Sequence, residues 1–209
     1  NGTFRLRPGG IVATLAQALQ LALSEPQGPV HLDLPEDVAL AEATETLAPA
    51  TESMRPMPER VPLAPAPEAS IARAGALLRA ARRPLAVIGA SAMRIRDPLL
   101  LRVFVERHQI PFATTMMAKG LIDEDHPLSL GVLGFAGHRE AKETIFGSTT
   151  DVLLTVGASL NETTTLNWNK ALRPSRALIQ VDIDADRIGR NYPVDIALVG
   201  DNIGELVLA

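Results

Sequence analysis

The 209-residue sequence contains no cysteine. Disulfide frameworks, thiolate metal sites and a cysteine nucleophile are thereby excluded. An excess of one charge sign is also missing: 20 Lys and Arg stand against 24 Asp and Glu, a net charge of -4. There is no electrostatic footprint for a phosphate backbone or an anionic membrane, so nucleic acid and membrane are not expected as partners. No stretch approaches the ~20 apolar residues that span a bilayer, and the N-terminus lacks a charged-then-apolar leader. A cytoplasmic protein is expected. Walker loops, Gly-x-Ser-x-Gly elbows and the Gly-x-Gly-x-x-Gly fingerprint do not occur. The four histidines, His31, His108, His126 and His138, have no metal-ligand spacing and read as surface or capping residues. Asp123-Glu124-Asp125 reads as a solvated turn, since nothing nearby supplies further ligands. What is present, 46% hydrophobic and 21% charged residues with 15 glycines and 16 prolines, describes a globular α/β-type chain. It opens on Asn1 rather than methionine and is read as a piece of something longer.

Six prolines, Pro49, Pro56, Pro58, Pro62, Pro65 and Pro67, fall close together in a stretch with little apolar periodicity. Residues 41–66 are read as a linker, because proline lacks an amide donor and fixes its own φ. The front piece, 1–40, reads as one helix and one strand. Ile11, Leu15, Leu19 and Leu23 recur at four-residue spacing, with Val12 and Ala16 beside them, and Val30 to Leu34 alternates until Pro35. A lone helix and a lone strand cannot bury their own apolar faces. The back piece, 67–209, alternates helices with six strands, near Leu85–Ile88, Ile110–Thr114, Leu128–Leu130, Asp151–Gly157, Leu178–Asp182 and Ile196–Val199. In the helix opened by Asp97-Pro98, the residues Leu100, Val103 and Phe104 are expected inward. Strands joined by helical crossovers predict a three-layer αβα Rossmann-like domain on a six-stranded parallel sheet.

Ligands of such sheets bind beyond the carboxyl ends of the strands. Gly89-Ala90-Ser91 and Gly157-Ala158-Ser159 each place a glycine after a buried strand. That allows either a tight exit turn or close approach of a phosphate to backbone amides. Asp182 ends its strand, where a carboxylate can accept from ribose hydroxyls; strand-end aspartates such as Asp184 and Asp186 also serve as caps. The residues alone lead to a nucleotide-binding module with no visible catalytic group.

Several segments, taken in order, resemble the thiamine-diphosphate-dependent enzymes of the acetolactate synthase and benzoylformate decarboxylase type. They are Gly28-Pro29-Val30-His31-Leu32-Asp33-Leu34-Pro35-Glu36-Asp37-Val38, Arg83-Pro84-Leu85-Ala86-Val87-Ile88-Gly89, and Pro111 through Gly120. Further on come His126-Pro127-Leu128 with Gly131, Asp151 through Gly157, Val181-Asp182-Ile183-Asp184 with Ile188-Gly189, and Val199-Gly200-Asp201. The resemblance implies a three-part parent of pyrimidine-binding, central and pyrophosphate-binding domains. This chain then covers the end of the first and all of the second. Thiamine diphosphate and magnesium belong to the parent, whose activating glutamate and Gly-Asp-Gly motif are not in this sequence. The resemblance further implies 2-oxo-acid decarboxylation or carboligation in the parent, the missing domains as partners, and a homo-oligomer, dimer or tetramer. The fragment alone is expected to be inactive, without catalytic or metal residues.

In that family the central domain carries FAD, carries ADP, or serves as scaffold. Gly89 and Ala90, with Ser91 next to them as a further candidate, match the first turn of the flavin site, and Thr114 or Thr115 the threonine after the second strand. Gly157 and Ser159 lie in the turn after the next buried strand, while Asp182 and Asp201 match acidic positions near the adenosine half. Flavin-binding members have Gly-x-Arg-Phe-Asp-Asp-Arg where this chain has Gly157-Ala158-Ser159-Leu160-Asn161-Glu162-Thr163, and Gly-Met-His-Gly where it has Gly134-Phe135-Ala136-Gly137. Losing both arginines removes bidentate bonds to phosphate and weighs against FAD. The alternative of a free-standing FAD, ADP or NAD module stays open, because the fold also resembles that of NAD-dependent deacylases.

Overall fold

A computed structural model describes residues 2–24, 27–42, 64–95, 97–147 and 149–208. The chain forms two compact units, Asn1–Val61 and Pro62–Ala209. Most of the proline-rich stretch lies outside the described residues.

In the first unit β1 (Thr3–Arg5) leads into α1 (Ile11–Leu23), β2 (His31–Asp33) and α2 (Glu36–Leu40). β1 and β2 pair in parallel, Phe4 opposite Leu32. The front strand therefore has a ladder partner, contrary to the expectation of a lone strand. Thr3-Phe4-Arg5 is too short for alternation to announce it. The orientation of α1 differs as well. Ala18 is its buried residue, with Thr14 and Ala22 partly covered, while Leu15 and Leu19 are 42% and 61% exposed.

The second unit holds α3 (Glu68–Arg79), β3 (Pro84–Ile88), α4 (Leu99–His108), β4 (Phe112–Thr115) and β5 (Ser129–Leu133). There follow α5 (Arg139–Phe146), β6 (Val152–Val156), α6 (Glu162–Thr165), β7 (Ala177–Asp182), β8 (Ile196–Val199) and α7 (Ile203–Leu208). The sheet is six-stranded and wholly parallel in the order β5-β4-β3-β6-β7-β8. Both faces are covered, which is why the strands read as unbroken apolar runs rather than alternating ones. Along β3, Ala86 and Ile88 face one core with Ile71, Leu78, Phe104 and Leu206, and Leu85 and Val87 face the other with Ala141, Ile145 and Leu172. The two-residue period of the strand divides these side chains between the layers, giving the three-layer Rossmann-like fold.

Helix α4 is rotated from its expected phase. Leu101, Phe104 and Val105 are buried, Leu100 is partly so, and Val103 is 43% exposed. The Asp97 carboxylate accepts from Leu99 N–H at 3.0 Å, so the Asp97-Pro98 start performs its capping role. Among the described residues no helix is long and apolar enough to cross a membrane.

Candidate functional site: the crevice at the sheet's switch point

Strand order reverses between β3 and β6. There the crossovers leave in opposite directions and open a crevice beyond the carboxyl ends of the strands. The two glycine turns singled out in the sequence meet at this point. Gly89 N–H donates to Val156 O at 2.8 Å, and Ser91 N–H to Gly157 O at 3.1 Å. A Cβ on Gly89 would stand 2.3 Å from Gly157 O. One on Gly157, where φ is +64°, would stand 2.2 Å from Ala92 N. Both glycines are thus required by the packing of one turn's backbone on the other. The amides of Gly89, Ser91, Ala92 and Gly157 all donate to protein carbonyls.

Below the turns lies a cavity of about 10 Å³ whose wall includes Ser91, Gly157, Asp182 and Asn202. It has room for about one water molecule. Asp182, 1% exposed, accepts from Asp184 N–H at 3.1 Å through Oδ1, while its Oδ2 has no partner among the described residues. Burial raises its pKa above the ordinary carboxylate value, and the Asp184 amide and Arg187 charge only partly oppose this. Asn202, fully buried, accepts from Ala66 N–H at 2.6 Å, and its Nδ2 is likewise without a partner. An orphan acceptor and an orphan donor therefore line the same small space.

Two residues that the sequence reading passed over complete the crevice. Arg187 Nη1 donates to Ser91 Oγ at 2.7 Å, and its Nε faces Asp184 Oδ2 at 3.3 Å. The guanidinium spans from the turn after β7 to the turn after β3. Gln180, buried in β7, donates to Ala158 O and Arg187 O, both at 3.3 Å, and accepts from Gly189 N–H at 3.0 Å. It ties the turn bearing Arg187 to the turn after β6. The available signals were a polar residue inside an apolar strand and an arginine shortly after a strand-end acid.

Of the expected site residues, the cavity brings together Ser91, Gly157 and Asp182. Gly89 packs against the Gly157 turn without lining the cavity itself. Ala90, Thr114, Thr115, Ser159 and Asp201 stand at the same ends of their strands without lining it. Thr114 and Thr115 are buried at the end of β4, and Ser159 O accepts from Asn191 Nδ2 at 3.0 Å. Asp184, by contrast, caps the 185–187 turn by accepting from Asp186 N–H at 3.0 Å.

Two histidines have structural partners. His138 is the N-cap residue of α5, and its Nδ1 accepts from Val132 N–H at 2.8 Å. His126, with its side chain 8% exposed, accepts from Leu128 N–H at 3.1 Å and lies 3.2 Å from Glu106 Oε1. In the acidic turn, Glu124 pairs with Lys119. Among the described residues no group of three or more His, Asp or Glu is arranged to hold a metal ion.

Comparison with known proteins places this geometry in a family. Residues 71–207 match the central domain of the thiamine pyrophosphate enzymes. The chain is 33% identical over 194 residues to an acetolactate synthase large subunit of Parasynechococcus marenigrum, covering 93% of this chain and 31% of that protein. It is 34% identical over 204 residues to the oxalyl-CoA decarboxylase of Escherichia coli K12, covering 96% of this chain and 34% of that protein. A probable acetolactate synthase large subunit of Methanococcus aeolicus is 33% identical over 190 residues, covering 88% and 30%. The chain thus spans about a third of the length of these curated relatives. The matched segment contains the whole six-stranded sheet and the switch-point crevice, and on that ground the chain belongs to the thiamine pyrophosphate enzyme family as its central domain.

Proposed function

We propose that this chain is the positioning part of a larger thiamine-diphosphate-dependent enzyme that decarboxylates a 2-oxo acid and transfers the resulting acyl or aldehyde unit. The observation that carries the reading is the match over residues 71–207 together with coverage of only a third of each relative. The first unit, with its Gly28 to Val38 segment, is read as the end of the preceding pyrimidine-binding domain. Thiamine diphosphate supplies the carbanion chemistry when bound to the parent. The residues described here do not fit it. The switch-point cavity has room for about one water molecule, and among the described residues no carboxylate cluster is arranged to hold a magnesium ion. The chain's own contribution is a rigid sheet, packed on both faces, that fixes the spacing of the catalytic domains of the parent oligomer.

Within the crevice the same reading assigns the orphan atoms to one buried water, which accepts from Asn202 Nδ2 and donates to Asp182 Oδ2. Arg187 closes the entrance over Ser91. The test compares the 209-residue chain with the chain extended on both sides to the length of its relatives, each supplied with thiamine diphosphate and magnesium. The extended protein is expected to release CO2 from a 2-oxo acid, and the 209-residue chain to release none. Turnover by the short chain would overturn the reading.

A second reading, an ADP site, is favoured by Arg187 itself. Its guanidinium lies on the switch point and supplies the cation that the Gly157 to Thr163 turn lacks. Binding would require it to leave Ser91 and would stabilise the fold by about 2.7 kcal/mol at a hundredfold excess over Kd. An ADP-dependent melting shift abolished by Arg187→Ala supports this second reading, and no shift in the wild-type chain supports the closed crevice.

A further inference from the structure

We propose that the end of the sheet opposite the switch-point crevice carries a phosphate-binding site built on Arg82, Arg83 and Thr150. A cavity of about 360 Å³ opens there, beneath the amino ends of β3 and β4. Arg82, Arg83, Gln109, Thr144, Thr149 and Thr150 contribute to its wall. The volume falls in the range of small-molecule sites, and the polar lining is cationic or neutral throughout, with no carboxylate.

The chain presents the arginines from a fixed backbone. After α3 it turns at Arg82-Arg83 and enters β3 at Pro84. The Asp151 carboxylate accepts from Arg82 N–H at 2.7 Å and from Arg83 N–H at 2.9 Å, pinning both residues to the start of β6. A further bond from Val152 N–H at 2.9 Å engages the same carboxylate. Asp151 is thus occupied by main-chain donors. Neither guanidinium makes a hydrogen bond or ion pair among the described residues.

The second, independent observation is Thr150. It is 5% exposed, it lines the cavity, and its Oγ1 has no hydrogen-bond partner among the described residues. A buried hydroxyl is ordinarily paired, so an orphan on the wall of a cationic cavity marks the place of a missing acceptor. The acceptor that matches two guanidinium forks and a hydroxyl is a dianionic tetrahedral oxyanion, because each fork takes two oxygens in its plane and the two positive charges balance the two negative ones. A phosphate group meets these demands, either as the free ion or as the head of a small phosphorylated molecule. The remaining volume accommodates the organic portion of the latter.

The experiment is calorimetric titration of the 209-residue chain with inorganic phosphate at constant ionic strength, with chloride as the control salt. Binding with Kd of about 1 mM or tighter is expected. Arg82→Gln and Arg83→Gln are each expected to weaken it about tenfold and Thr150→Val by about threefold, while the double arginine variant loses it. Equal heats with phosphate and chloride, or undiminished binding by the double variant, would overturn the site. A measurement on the unaltered chain guards against variants that fail to fold. Phosphate should slow phenylglyoxal modification of Arg82 and Arg83 relative to exposed Arg173, and equal rates would again refute the proposal. Glycerol phosphate separates the two sources. Tighter binding than phosphate identifies a phosphorylated molecule, and equal or weaker binding identifies the free ion.

Discussion

Asp182 ends β7 with one carboxylate oxygen bonded to the Asp184 amide and the other without a partner among the described residues. Burial disfavours its charged form, and the folded pKa is raised above the unfolded value. For an acid shifted in this direction the folded state holds the proton more tightly than the unfolded chain. Its contribution to stability is fully present below the unfolded pKa near ~3.9 and is lost as pH rises through the folded value. Asp182→Asn keeps an oxygen for the Asp184 amide and removes the titration. The stability of the variant relative to wild type should therefore climb as pH rises from ~4 and level off above the folded pKa. Urea midpoints of the two proteins between pH 4 and pH 8 measure it directly. A difference that stays flat with pH would show that Asp182 is not a buried titrating group.

At the level of elements, Asp151 holds β6 to the turn that leads into β3. Its carboxylate is pushed up by partial burial, but the amides of Arg82, Arg83 and Val152 outweigh this and leave its pKa lowered. The sign is opposite to that of Asp182: its contribution is present above the unfolded pKa and fades as pH falls through the lowered folded one. Asp151→Ala should cost about 1–2 kcal/mol at pH 7, since water can reach the freed amides, and the difference from wild type should shrink in acid. Urea unfolding at pH 7 and at pH 3 gives both numbers. Val152–Val156 and Pro84–Ile88 were legible in the sequence because strands buried on both faces read as apolar runs closed by glycine. The phase of α4 was not, because Leu99-Leu100-Leu101 offers three adjacent starts to one stripe and tertiary packing selects Leu101. The pairing of the two glycine turns across the switch point, and of Arg187 with Ser91, was not legible either. Those contacts join segments far apart in sequence, and only strand order brings them together. The place of Asp182 at the end of β7 was legible because a strand end is a position that local pattern does reveal.

The two units differ in what each can sustain alone. The second buries both faces of a six-stranded sheet under two apolar clusters. In the first, among the described residues, a pair of three-residue strands is accompanied by only Leu6, Ala18 and Val38 as buried apolar side chains. Leu15, Leu19, Leu34 and Leu40 remain exposed. A two-stranded sheet is marginal in water, and so small a set of buried side chains does little to offset the entropy lost on ordering the backbone. Residues 64–209 prepared alone should therefore melt cooperatively within ~5 °C of the full chain, because both apolar clusters are built from residues of this unit. Residues 2–42 prepared as a peptide should show the circular dichroism of an unfolded chain with partial helix, since α1 has only 13 residues. A fall of more than ~10 °C in the melting temperature of residues 64–209 would mean that the first unit contributes to the fold of the second. A cooperatively folded 2–42 peptide would mean that those exposed leucines find their cover within the short segment itself.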